Sequence, residues 1–269
     1  MMNQPQLSLH HLTALSLSPV ALIKVAHQLG CSHVGLFTGL PAGIATAFPY
    51  VDDASLESVS QTLREYGIGL NQAEVFGLKE GIDLQDYLPS LRRAASLGAR
   101  CVTTHIHEPD KDRMSSQLAR FIDLAAPLGL NVALECTSFS ACRRITQALE
   151  LCAALDHPAL CLAVDALHFN RNENTLFELS QAPAHWLGYV QLCDGPKTAP
   201  LDLYAEAVTH RLIPGEGEFE LVALLKAING PVMVDVEVPH PALPAHLVYP
   251  HAAKAVVATQ KIMRQANWC

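Results

Sequence analysis

The chain has 269 residues, half of them apolar and only 16% charged, with a formal charge of −8. A single eight-fold β/α barrel takes about 250 residues, so the length suits one barrel with one large core. The acidic balance argues against a phosphate-tracking surface, and hence against nucleic acid as a partner.

The eight cysteines include no C-x-x-C pair, which excludes the usual zinc-knuckle spacing. Several lie inside apolar runs (Cys101, Cys161, Cys193), where Cys behaves as a small hydrophobe, and the expected compartment is reducing. The opening MMNQPQLSLHH has no basic stretch leading into an apolar one, and no apolar run reaches membrane-spanning length. A cytoplasmic protein without membrane attachment is expected.

Strand-like and helix-like segments alternate throughout. The first strand is read at 6–10, followed by a helix at about 18–29 with Ser18 as cap and Pro19 in its first turn. A second strand at 33–37 precedes a helix over 53–67 that starts at Asp53 or Ser55. The third strand is 68–76, ending near Glu74, and the next helix, 83–98, carries Pro89 in its middle as a candidate kink. Strands four to eight are read at 99–105, 130–136, 159–165, 187–194 and 231–238. The intervening helices fall at about 113–128, 140–154, 172–180 and 218–228, with a last one at about 245–266.

Glycine closes several of these helices just before the next strand (LGC, YGI, LGA, LGL), the punctuation of repeated βα units. Eight such units without a second domain predict one closed (β/α)8 TIM barrel over 1–269. The competing open sheet would carry a glycine-rich phosphate turn, and no G-x-G-x-x-G or P-loop pattern is present.

Four strands in the second half end on oxygen donors: Glu135 in VALEC, Asp165 in LAVD, Gln191 in YVQLCD and Glu237 in VMVDVEV. In a barrel these ends are neighbours on one rim. Three carboxylates and an amide make an all-oxygen shell suited to Mn²⁺ or Mg²⁺, with Co²⁺ and Zn²⁺ as alternatives. Without a cation the like charges repel, or their pKa values rise. Asp235 shares strand parity with Glu237 and competes for its place. His105 and His107 end the fourth strand, and one of them is expected to face the pocket; His10 and His11 admit the same reading.

The ordered set of Glu135, the D-x-x-H of VDALH (Asp165, His168), Gln191, the R-x-x-P-G-x-G of RLIPGEG from Arg211, and Glu237 resembles the xylose isomerase-like TIM-barrel superfamily. The similarity is to the branch with ketohexose 3-epimerases and hydroxypyruvate isomerase. The resemblance implies a metal shell of Glu135, Asp165, Gln191 and Glu237, with Glu135 and Glu237 moving protons. It also implies substrate contacts from His168 and Arg211, beside the His105 read from the strand ends. Lys197 is the alternative cation to Arg211. The implied activity is a divalent-metal-dependent isomerase or epimerase of a small sugar or keto-acid, in which proton transfer beside a carbonyl passes through an enediolate. Dehydration by the same first step is the alternative. An endonuclease IV-like phosphodiesterase and a non-catalytic binding barrel are the weaker readings. A homo-oligomer is compatible with the resemblance.

Overall fold

The computed structural model describes residues 6–40, 48–230, 232–240 and 242–268. Eight parallel strands close on themselves in the order β1 to β8. They are β1 Leu7–His10, β2 His33–Phe37, β3 Gly69–Leu78, β4 Cys101–Ile106, β5 Asn131–Glu135, β6 Leu160–Asp165, β7 Leu187–Leu192 and β8 Met233–Val236. Closure is made by β8 on β1, with Ser8 opposite Asp235. The expected single barrel is the observed fold.

The helices are α1 Pro19–Gln28, α2 Leu56–Tyr66, α3 Leu88–Ser96, α4 Lys111–Ala125, α5 Ile145–Leu155, α6 Ala166–Arg171, α7 Leu176–Ser180, α8 Leu203–Thr209, α9 Leu221–Ala227 and α10 Ala245–Gln265. Ser18 caps α1 as its sequence position suggests, its hydroxyl accepting from Ala21 N–H at 3.3 Å. Gly67 ends α2 at φ 63° and Gly98 follows α3 at φ 72°, left-handed positions that turn the chain into the next strand.

Three details differ from the sequence reading. Pro89 sits in the first turn of α3, where its missing N–H costs nothing, because a 3-10 turn over Leu84–Tyr87 precedes the helix. The strand β3 runs on to Leu78, so Glu74 is interior to it and not at its end. Two short helices, α6 and α8, occupy stretches read as connections. Asp165 starts α6 directly by accepting His168 N–H at 2.9 Å, which its strand-like surroundings concealed.

Apolar side chains pack between strands and helices as one large cluster. A smaller one lies within the barrel: Cys101, Ala133, Ala163, Tyr189 and Met233, contributed by β4 to β8. Ala133 and Ala163 are small where Tyr189 is large, the alternation that lets side chains of one barrel layer interdigitate. Among the described residues no helix is long and apolar enough to cross a membrane.

Candidate active site

At the C-terminal ends of the strands a cavity of about 750 Å³ opens between apolar and ionisable walls. Glu74, His105, Glu135, His168, Arg211 and Glu237 all line it. Aromatic residues form part of the rim: Phe139 meets Tyr204 edge-on at 5.2 Å and stacks on His107 at 6.4 Å. Lys197, the alternative cation, is exposed and does not belong to the lining.

Glu135 closes β5 and is buried. One of its oxygens meets His105 Nε2 at 2.6 Å, and the other faces His168 Nε2 at 3.7 Å. Burial works against charge on His105, but the Glu135 carboxylate outweighs it and raises the imidazole above its ordinary value. His168 is lowered, because burial prevails there over Asp165 and Glu135. Its Nδ1 is engaged by Ser138 N–H at 3.1 Å, which aims Nε2 at Glu135. Of the histidine pair on β4, His105 is the one bonded to a carboxylate, while His107 packs against Phe139.

Asp165, Gln191 and Glu237 stand at the ends of β6, β7 and β8; of the three only Glu237 lines the cavity, and Asp165 and Gln191 are buried beside it without reaching its wall. Glu237 follows β8 and extends its ladder by donating its N–H to Leu192 O at 3.2 Å. The amide nitrogen of Gln191 donates to the Glu237 carboxylate. Arg211 stands between the two acids, Nη1 donating to Asp165 Oδ2 at 2.5 Å and Nη2 meeting Glu237 Oε1 at 2.8 Å. Its Nε is tied to Ala207 O at 2.8 Å. Burial opposes ionisation of Asp165, but Arg211 overcomes it and keeps that carboxyl below its usual range. Glu237 is pushed well above the carboxylate range by burial, despite the same guanidinium.

Asp235 lies deeper than Glu237. It is fully buried, accepts from Gln72 Nε2 at 2.5 Å and from Gln191 Nε2 at 3.4 Å, and is absent from the cavity wall. The shared parity is real, but of the two only Glu237 lines the cavity.

The groups able to hold an ion fall into two sets, Glu135 with Asp165 and His168, and Glu237 with His10 and Asp235; within each set the donor atoms lie within 4.8 Å of one another. The donor chemistry fits a hard divalent cation: five buried carboxylates, counting Glu74, stand with one guanidinium and the three imidazoles His10, His105 and His168. Gln191 Oε1 is buried without a hydrogen-bond partner, an oxygen ready for such an ion.

One contact and one contributor lie beyond the sequence reading. His10, a pocket candidate at the end of β1, meets Glu74 of β3 at 3.0 Å, a pairing that the sequence does not indicate. Asp194, beyond β7, accepts the backbone N–H groups of Gly195, Gly215 and Phe219 and so shapes the loop that presents Arg211. The only signal for Asp194 was an acid just past a strand and before a glycine turn.

A family model described as "Xylose isomerase-like TIM barrel" matches residues 23–265. No curated protein matches the chain. Among solved structures, a protein named IolI with a bound zinc atom aligns at TM-score 0.77 and 19% identity, covering 97% of this chain and 98% of that one. D-psicose 3-epimerase with D-tagatose from Clostridium cellulolyticum H10 aligns at 0.73 and 12%, over 96% and 99%. The probable 3-DHS dehydratase AsbF from Bacillus anthracis aligns at 0.74 and 13%, over 94% and 98%. A fusion of a xylose isomerase-like TIM barrel with 4-hydroxyphenylpyruvate dioxygenase aligns at 0.85 and 19% over 98% of this chain, which spans 43% of that longer protein. The chain belongs to the xylose isomerase-like TIM-barrel family.

Proposed function

We propose that the chain is a divalent-metal-dependent isomerase or epimerase of a small sugar or keto-acid, acting by proton transfer next to a carbonyl. The observation that carries this reading is the pair of carboxylates, Glu135 and Glu237, lining one cavity with distinct partners. Glu135, Asp165, Gln191 and Glu237 would hold the metal. A bound divalent ion supplies Lewis acidity at the substrate carbonyl. Oxygen donors favour a hard ion such as Mn²⁺ or Mg²⁺, and the IolI structure holds zinc.

Glu135 is the base: its carboxylate faces the cavity and is oriented by His105. Glu237 returns the proton, a role suited to an acid whose affinity for protons burial has raised. His168 and Arg211 present N–H groups to substrate oxygens from the same wall. The aromatic rim of Phe139 and Tyr204 limits water around the reacting carbon.

Dehydration is the second reading, and one observation favours it. The two carboxylates are unequal: Glu135 is paired with an imidazole, whereas Glu237 is held by both Arg211 and Gln191. A single base beside a charged imidazole removes a proton and then protonates a departing β-hydroxyl, the sequence an elimination requires.

Metal analysis of the purified protein, then incubation with ketoses and keto-acids in deuterium oxide, tests both readings. Isomerisation or epimerisation predicts deuterium on the carbon beside the carbonyl, lost in Glu135→Gln and Glu237→Gln. Dehydration predicts a conjugated product that absorbs in the ultraviolet. Full metal content with exchange and turnover intact in both variants would overturn the proton-transfer assignment.

A further inference from the structure

We infer that Arg211 is a built-in competitor of the metal, a guanidinium holding the Asp165–Glu237 half of the shell that a divalent ion must take over. The inference rests on the metal reading of the site. Its ground is geometric: one buried side chain satisfies two of the four expected ligands at once, at 2.5 Å and 2.8 Å. Those bonds engage Asp165 Oδ2 and Glu237 Oε1, while Asp165 Oδ1 is already committed to His168 N–H. With the amide nitrogen of Gln191 on the other Glu237 oxygen, neither carboxylate keeps an oxygen clear of a donor. A metal bound by both acids therefore competes with the guanidinium for oxygens that already hold a donor, taking a remaining lone pair or displacing an N–H, and does so against a like charge.

The surroundings give the guanidinium a way to yield. Its other bonds are Nε to Ala207 O at 2.8 Å and a weak contact of Nη1 with Cys193 Sγ at 3.7 Å. The Ala207 bond is made by the Nε edge, so the terminal nitrogens can leave Asp165 or Glu237 while the stem stays anchored. Asp194 fixes the adjoining loop independently, through Gly215 and Phe219. The displaced N–H groups then face the cavity that Arg211 already lines. One consequence is that the metal-free site is not an unscreened cluster of acids. Another is that metal binding frees the donors that a substrate oxygen would meet.

The test is Mn²⁺ binding by calorimetry to the metal-stripped wild type, Arg211→Gln and Arg211→Lys. Loss of a neighbouring unit charge is expected to tighten Mn²⁺ binding about tenfold or more in Arg211→Gln. The melting temperature of that variant should also rise more on adding Mn²⁺ than that of the wild type, since a tighter ligand stabilises more. Arg211→Lys keeps the charge but reaches only one of the two carboxylates, so a smaller gain is expected; it serves as the readout if Arg211→Gln does not fold. Unchanged or weaker binding in the folded variants would overturn the inference and make Arg211 a residue that orients ligands. If the wild type binds Mn²⁺ and the variants bind it equally, this inference falls alone. If no chain binds Mn²⁺, Mg²⁺ or Zn²⁺, the metal reading falls with it.

Discussion

The two halves of the barrel treat buried acid in different ways. On β6 to β8, Asp165 and Glu237 stand at or just past strand ends and share a guanidinium brought in by the connection after α8, while Glu135 on β5 takes His105 from β4. On β1 to β4 the acid is Glu74, inside β3, and its cation is His10, reaching from β1 past β2. Gly35 on β2 makes that crossing possible: a Cβ there would fall 2.5 Å from Gln72 Nε2 and 2.7 Å from His10 Cδ2. Thr103 completes the Glu74 environment, donating at 3.2 Å. The first arrangement leaves protons and ligands exchangeable at the cavity; in the second, Glu74 also lines the cavity but is tied to a fully buried imidazole in the barrel wall. Function is expected to concentrate in the first and stability in the second.

Substitution of Glu135 should separate the halves most widely. Removing a general base costs about 10²- to 10⁴-fold in rate. Glu135→Gln is therefore expected to lose activity on that scale; because it also gives up its pair with His105, the urea midpoint is read alongside and rates are compared under conditions where the variant is folded. A variant equally active would move the base elsewhere on the rim.

The largest stability effect is expected at His10. Breaking one partner of a buried ion pair costs about 3–5 kcal/mol, so His10→Gln should lower the unfolding free energy by that order. The pair also has a pH signature. Burial alone would lower the His10 pKa, but Glu74, Glu237 and Asp235 raise it to about 10. With an unfolded value of about 6.5, its stabilisation is fully present below that pH and is lost as pH rises through about 10. Urea midpoints from pH 6 to 10 should fall in the wild type and stay flatter in His10→Gln. Identical slopes in the two chains would remove His10 as the titrating group.

Gly35→Ala should follow, because the methyl group meets two side chains that are themselves fixed by Glu74 and Asp235. Overpacking of this kind costs about 1–3 kcal/mol. Near-neutral stability in denaturation would show that His10 and Gln72 can give way, and that the wall is softer than its geometry suggests.

The contrast also explains what the sequence could disclose. Strand-terminal acids are legible because a carboxylate closing an apolar run has one meaning in a barrel: it points to the rim. Glu135, Asp165 and Glu237, with the amide of Gln191, are legible that way, together with the barrel that makes them neighbours. The link between His10 and Glu74 depends on register across β2 and on the absence of a side chain at Gly35, neither of which a local pattern encodes. The strand end marks Asp165 as a ligand candidate, but its capping of α6 shows only in the backbone turn. The motif makes Arg211 a substrate contact by resemblance. That it bridges two acids follows from a loop folded by Asp194, a contact spanning 21 residues at Gly215.

The smallest effect tests whether strand number is the true boundary between the halves. Tyr189 belongs to β7, yet its hydroxyl lies 2.7 Å from Thr103 Oγ1 on β4, in the layer beneath the cavity. Burial raises the Tyr189 phenol well above its ordinary value, so it remains a neutral hydrogen-bonding group. Tyr189→Phe keeps the ring that fills the space between Ala133 and Ala163 and removes only that bond, a loss of about 0.5–1.5 kcal/mol. Thr103 retains Glu74 as acceptor, so no charge is stranded. Kinetics at unchanged rate with this small drop in stability would assign Tyr189 to the locked interior despite its strand. A rate loss exceeding the stability loss would mean that the Thr103–Glu74 connection transmits to the cavity, and that depth alone does not divide the barrel.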